Sequence, residues 1–140
     1  MATVTAYPQF TQKLGTKTVN LSTDACKVIL LSAYTYAASH ATLTDVLAAG
    51  TQLGTALGYT SGGVALTSVT YTTPTTGNVT TLAAANVTGL TCTARYIVVV
   101  DTQGGTNATS YPIMFVDLGA ATLLTPGVTW SASGIMTWQT

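Results

Sequence analysis

Residues 92–101 read Cys92-Thr93-Ala94-Arg95-Tyr96-Ile97-Val98-Val99-Val100-Asp101. In an extended chain successive side chains point to opposite faces, so Cys92, Ala94, Tyr96, Val98 and Val100 share one face, and Thr93, Arg95, Ile97, Val99 and Asp101 share the other. Both faces are mostly apolar, and β-branched and aromatic residues dominate. The segment is therefore expected to be a strand at the centre of a sheet, covered on both sides.

Working outward, Cys26 to Tyr34 (Cys-Lys-Val-Ile-Leu-Leu-Ser-Ala-Tyr) is apolar on both faces in its middle and reads as a second core strand. Ahead of it, Tyr7, Phe10 and Leu14 fall at helical spacing with Gly15 as a C-terminal stop, which predicts a two-turn helix. From Thr42 to Gly58 the leucines at 43, 47, 53 and 57 and Val46 keep helical spacing, but Gly50 and Gly54 interrupt it. A long loop is expected there, with Asp45 capping a short turn. Gly58-Tyr59-Thr60-Ser61-Gly62-Gly63 is a turn whose glycines supply positive φ.

From Val64 to Thr73 the apolar parity changes between Leu66 and Val69. That change calls for a bulge near Thr67-Ser68, or for a strand that passes from one sheet to another. Pro74 to Asn78 reads as a turn and Val79 to Ala84 as the returning strand of a hairpin. After the turn Gln103 to Asn107, Tyr111 to Leu118 is another strand. Gly127–Ser131 and Ile135–Trp138 are expected to form a terminal hairpin around Ala132-Ser133-Gly134. The sum is an all-β chain: an antiparallel β-sandwich or barrel-like domain of about seven short strands with a short N-terminal helix. Residues 1–20 are read as an N-terminal arm and 21–140 as a single domain.

Charge is the compositional anomaly. Charged residues make up 6% of the 140 residues, against roughly 25% in ordinary soluble domains. There is no Glu, there are 31 threonines, and residues 46 to 94 contain no Asp, Glu, Lys, Arg or His. A surface with so little charge does not repel its neighbours and suits contact with other protein. The 47% apolar content excludes intrinsic disorder. No uninterrupted apolar run approaches the ~18 residues of a membrane-spanning helix. The start, Met1-Ala2-Thr3-Val4-Thr5, lacks a basic region followed by an apolar one, so synthesis in a cytoplasm is the expectation. Cys26 and Cys92 then read as buried thiols, and the Asn-X-Ser/Thr triplets at Asn20, Asn78, Asn86 and Asn107 as turns.

The inventory for chemistry is short: one His, four Asp, three Lys and one Arg. His40 lies in Ala38-Ser39-His40-Ala41, no G-x-S-x-G elbow is present, and the chain is read as non-enzymatic. Two cysteines and one histidine make no zinc set. Asp101 and Asn107 bracket a glycine turn without the calcium-loop pattern. Gly58–Gly63 lacks the Lys-Ser/Thr of a phosphate loop. Lys13, Lys17, Lys27 and Arg95 are balanced by four aspartates and do not suit nucleic acid. No cofactor, metal or membrane partner is expected. Trp130, Trp138 and the tyrosines are expected to serve core and protein interfaces before sugar stacking.

Several segments resemble a known family: Lys27-Val28-Ile29-Leu30-Leu31 followed by Tyr34, Asp45-Val46, Gly58-Tyr59-Thr60-Ser61-Gly62-Gly63 with Leu66, Thr93-Ala94-Arg95-Tyr96-Ile97-Val98-Val99, Val116-Asp117-Leu118-Gly119, and Val128 to Ile135. Together they resemble the small structural proteins of tailed bacteriophages, over roughly residues 20 to 136. The resemblance implies a virion role without a reaction. It suggests a capsid decoration or minor capsid protein on the particle exterior, bound to the major capsid protein and oligomeric, a trimer being favoured. A tail or baseplate subunit and a host-surface carbohydrate-binding domain are the alternatives. Where relatives are richer in Asp, this chain has Ala37-Ala38-Ser39 and Ala83-Ala84-Ala85, which favours dry contacts. The residues expected at the interface are Tyr7, Phe10, Leu43, Leu53, Leu57, Tyr59, Trp130 and Trp138, with the N-terminal arm (1–15) and the 41–63 loop as the expected contact segments.

Overall fold

The computed structural model describes residues 3–21, 23–72, 79–85, 91–103, 105–124 and 131–137; for 67–72, 79–85 and 131–137 the description is of the backbone alone. In chain order the elements are β1 (Thr3–Ala6), α1 (Pro8–Gly15), β2 (Cys26–Tyr34), α2 (Leu43–Ala48), β3 (Gly50–Gln52), β4 (Val64–Ala65), β5 (Thr67–Thr72), β6 (Val79–Ala85), β7 (Thr93–Asp101), a 3-10 turn (Asn107–Thr109), β8 (Tyr111–Leu123) and β9 (Ser131–Thr137). The chain is mostly strand, and every pairing is antiparallel.

The larger sheet runs β1-β8-β7-β2-β3, with β4 also pairing with β2; the smaller runs β5-β6-β9. The 92–101 segment is the centre of the larger sheet, as its two-sided apolar pattern predicts. Ile97 to Asp101 are buried without interruption, and so are Val28 to Leu31 on the neighbouring strand. Each apolar side chain among them contributes about 1.5–3 kcal/mol by leaving water. Rows such as Ile29, Val98 and Phe115 lie across three strands. Against them pack Tyr7, Phe10, Val19, Leu21, Leu43, Val46 and Tyr59.

The first segment is not a free arm. The alternation Thr3-Val4-Thr5-Ala6 pairs with Asp117 to Met114 of β8, and the Tyr7 amide continues the ladder by donating to the Ile113 carbonyl at 3.0 Å. Helix α1 follows with Pro8 in its first turn, where a missing N–H costs nothing. Phe10 is its buried residue and Leu14 packs against the core. The left-handed position after the helix falls to Lys17, at φ 56°, two residues beyond the expected stop at Gly15.

The long loop expected from 42 to 58 contains a helix and a strand. Thr42 accepts from the Asp45 amide through its hydroxyl, and the Asp45 carboxylate accepts from the Thr42 amide at 2.9 Å, a reciprocal capping box that starts α2. Burial of Leu43 and Val46 holds the helix down. Gly50 ends it and opens β3, where a side chain would meet the Ala33 carbonyl and the Tyr34 ring, both at 3.1 Å.

The parity change after Leu66 is the passage from one sheet to the other. Val64 pairs with Val28 in the larger sheet, while Thr67 pairs with Ala85 in the smaller, where the register also slips between Thr67 and Thr70. The pairing of β5 with β6 is the expected hairpin; its turn at 74–78 lies outside the described residues.

Glycines were misleading at two places. Gly119 does not end β8, which runs on to Leu123: Tyr96 faces Asp117 and Ala94 faces Thr122, so the extra residues, with Gly119 at φ 80°, form a bulge. Residues 132–134 are not a turn either. Thr80 faces Met136 and Leu82 faces Ala132, so β9 bulges around Ser133-Gly134-Ile135 and remains one strand. Nine strands are therefore described where about seven were expected.

Candidate functional site

The residues expected at an interface separate by depth. Tyr7, Phe10, Leu43 and Tyr59 are buried in the chain's own core, exposed by 3% or less. They are not available to a partner, because each belongs to the hydrophobic core cluster. Leu53 is partly buried against the same core. Leu57 alone of the described set stands out, 62% exposed at the tip of a small loop closed by the Ala56–Tyr59 bridge. Trp130 and Trp138 lie outside the described residues.

Two exposed apolar residues were not anticipated. Val4 on the edge strand β1 is 51% exposed, and Leu123 at the end of β8 is 60% exposed. Leu57 and Leu123 belong to one end of the molecule. The Thr91 amide and hydroxyl donate to the Leu57 carbonyl at 2.9 and 3.4 Å, and Thr93, two residues on, pairs with Leu123. The signal for Val4 was its alternation with Thr3 and Thr5. Leu123 had none, since its strand seemed to stop at Gly119.

The few charges are largely used within the fold. Asp45 is engaged in the α2 cap: the Thr42 and Ala41 amides and the Thr42 hydroxyl donate to it, and they hold its carboxyl below the usual carboxylate range. Asp117 accepts from the Gly119 amide at 2.8 Å and pairs with Arg95 at 3.4 Å; these donors lower its pKa in that order. The Arg95 guanidinium lies 4.9 Å from the Tyr96 ring centre, and the Lys13 ammonium 4.7 Å from that of Tyr111. Asp101 is fully buried. Asp24 accepts from the Asn20 amide and the Thr23 hydroxyl, so all four aspartates are engaged within the chain.

The polar interior is a set of tyrosine contacts. The Tyr7 and Tyr34 hydroxyls are 2.6 Å apart, and the Tyr34 hydroxyl is 2.8 Å from His40 Nδ1. Burial first, and then the Tyr34 hydroxyl, pushes the Tyr7 phenol far above its ordinary value. Around them Tyr36 stacks on Phe115 at 4.7 Å, and Tyr34 meets Phe115 edge-on at 5.8 Å. Tyr59 lies apart from this group: its hydroxyl accepts from the Leu30 amide at 3.2 Å and from Gln52 Nε2 at 2.8 Å. His40 is thus tied to a core tyrosine, and Tyr59 takes up the Leu30 amide of β2, between the residues that pair with β4 and those that pair with β3.

Both cysteines are buried free thiols. Burial, then the charges of Asp101 and Asp24, pushes Cys26 up to about 12, and burial raises Cys92. In the 101–107 turn, Asp101 Oδ1 accepts from the Gln103 amide at 2.8 Å and Asn107 opens the 3-10 turn. Among the described residues no helix is long and apolar enough to cross a membrane.

The segments that carried the family resemblance are architectural. Lys27 to Leu31 lie in β2, Thr93 to Val99 in β7, and Gly58 to Gly63 form the turn in which Gly58, Gly62 and Gly63 adopt φ of 83°, 98° and 99°. No protein-family model matches the chain, and neither a curated protein nor a solved structure does.

Proposed function

We propose that the chain is a non-enzymatic structural protein of a virus particle, a capsid decoration or minor capsid protein that binds the major capsid protein and stabilises the shell. The observation that carries this reading is the disposition of charge. The sequence is already charge-poor, and Asp45, Asp101, Asp117 and Arg95 are engaged within the fold. Little charge is left to desolvate when a neighbour covers the surface, a cost of several kcal/mol for each ion buried without a partner. The exposed Leu57 and Leu123 give one end of the molecule an apolar contact point.

In this reading the two sheets face one another as a sandwich, joined at the corner where Leu66 links β4 to β5, and the domain acts as a small oligomer on the outside of the particle. Standard interfaces of roughly 1,600 Å² suffice for stable association, and repetition over a shell adds avidity. The motif resemblance to tailed-phage structural proteins supports the same assignment. Quantitative mass spectrometry of purified particles tests it. Hundreds of copies per particle are expected of a shell component; a few copies indicate a tail or baseplate subunit, and absence from the particle refutes a virion role. Glycan-array binding abolished by Trp130→Ala would favour the carbohydrate reading.

A further inference from the structure

Two carboxylates meet at one end of the β2–β7 ladder. Cys26 is the register partner of Asp101, so both lie on the same face, and Asp24, in the bend two residues before Cys26, is close enough for its carboxyl to act on that of Asp101. The ladder extends past the paired residues, with the Thr102 amide and hydroxyl donating to the Ala25 carbonyl at 2.8 and 2.9 Å. The two acids therefore stand at the same end of the ladder.

Their hydrogen bonding is unequal. Asp101 has no exposure to solvent. Its Oδ1 accepts from the Gln103 amide at 2.8 Å, while no N–H or O–H donor reaches its Oδ2. Asp24 is half-buried and already holds two donors, the Asn20 amide at 2.5 Å on Oδ2 and the Thr23 hydroxyl at 3.2 Å on Oδ1. The groups that face Asp101 offer no counter-charge. From β2 comes the Cys26 thiol, kept protonated by burial. From β8 comes its register partner Tyr111, whose ring carries the Lys13 ammonium. Among the described residues the one ion pair is Arg95–Asp117, which links β7 to β8 at the opposite end of β7. A buried carboxylate oxygen without a donor beside a second carboxylate is an unstable arrangement unless something positive lies between them.

We infer that Asp24 and Asp101 share one proton in the folded chain, carried on Asp101 Oδ2 and donated to the Asp24 carboxylate, as a pH-responsive clasp that fastens to the sheet the turn closed by the Thr23 and Asp24 amides on the Asn20 carbonyl. That turn leads from α1 into β2, so the clasp ties the N-terminal segment to the central ladder. Burial, opposed by the Gln103 amide and reinforced by Asp24, lifts the Asp101 carboxyl to about 6, in keeping with a proton retained well above the usual carboxylate range. Because the folded chain holds this proton more tightly than the unfolded chain, the clasp stabilises most at low pH. Its contribution falls as pH rises from the unfolded carboxylate value, about 3.9, through the folded value of about 6. Above that, two like charges face each other and the turn loosens.

The test is a carboxyl-carbon NMR titration of the full chain, with thermal melting from pH 4.5 to 8, on the native sequence and on Asp24→Asn. The Asn amide donates to Asp101 Oδ2 without needing a shared proton. In the native chain one aspartate is expected to titrate near pH 6, with Tm falling across the same range. In Asp24→Asn the midpoint drops by about one pH unit or more, the fall in Tm flattens, and Tm at pH 7.5 exceeds that of the native chain. Four aspartates titrating below pH 4.5, or an unchanged pH slope in Asp24→Asn, overturns the clasp. So does a rise in native Tm with millimolar Ca²⁺ or Mg²⁺ at pH 7.5 that is lost in Asp24→Asn, since a cation would then occupy the pair.

Discussion

Replacing Gly63 by alanine tests how the turn before β4 is seated on the sheet. Gly62 and Gly63 have nearly the same backbone, φ 98° and 99°, but different surroundings. An added Cβ at Gly62 meets nothing within 4 Å, whereas at Gly63 it lies 2.6 Å from Ile29 Cδ1 and 3.0 Å from the Val28 carbonyl oxygen. Both alanines carry the left-handed backbone cost, about 1–2 kcal/mol. Gly63→Ala adds overpacking against a fully buried β2 residue, a further ~1–3 kcal/mol. With about 3–5 °C of Tm lost per kcal/mol in a chain of this size, Gly62→Ala should melt ~3–10 °C low and Gly63→Ala ~6–25 °C low. Ile29→Val removes the clashing Cδ1 and itself costs about 0.5–1.5 kcal/mol. In the double variant with Gly63→Ala the losses should fall short of additive by ~1 kcal/mol or more. Urea and thermal unfolding followed by circular dichroism measure the four variants against the native chain. Equal destabilisation by the two alanines, or strict additivity with Ile29→Val, would refute the packing of Gly63 on β2.

Tyr34→Phe removes the hydroxyl between Tyr7 and His40 and should cost about 1–3 kcal/mol in urea unfolding, because the buried Tyr7 hydroxyl loses this partner. Tyr7→Phe, which leaves the Tyr34–His40 contact in place, should cost less, and the reverse ranking would contradict the chain of contacts. Thr42→Ala breaks the α2 capping box at about 1 kcal/mol. Since the folded Asp45 carboxyl is held low, its contribution is present above the unfolded carboxylate value of about 3.9 and is lost as pH falls through the folded value. The stability lost on acidification below pH 4 should therefore be smaller in Thr42→Ala than in the native chain. A thiol reagent at pH 8 should find neither Cys26 nor Cys92 in the folded protein and both after denaturation; fast labelling of the native state would contradict their burial.

Much of the larger sheet was legible because its strands are apolar on both faces: Ile97 to Val100 and Val28 to Leu31 leave no other element open to them. The sheet change after Leu66 was legible as a break in parity. What sequence reasoning missed turns on contacts between distant residues. Thr42 and Asp45 make a capping box strong enough to start α2 despite Gly50, because Leu43 and Val46 find a core to enter. Gly119 and Gly134 sit in bulges rather than turns, a distinction that depends on how many residues the partner strand supplies. The candidate interface was read from apolar side chains near turns, and Tyr7, Phe10, Leu43 and Tyr59 met that description while filling the interior. No sequence pattern links Asp24 to Asp101, since their meeting requires the Cys26–Asp101 register.

The central claim is that this charge-poor β domain coats a particle. An image reconstruction of intact particles purified from the source of the chain tests it most directly. The account predicts density fitting the β1-β8-β7-β2-β3 sheet, repeated over the outer surface of the head in contact with the major capsid protein. Density for the chain on the tail alone, or none anywhere on the particle, would contradict it.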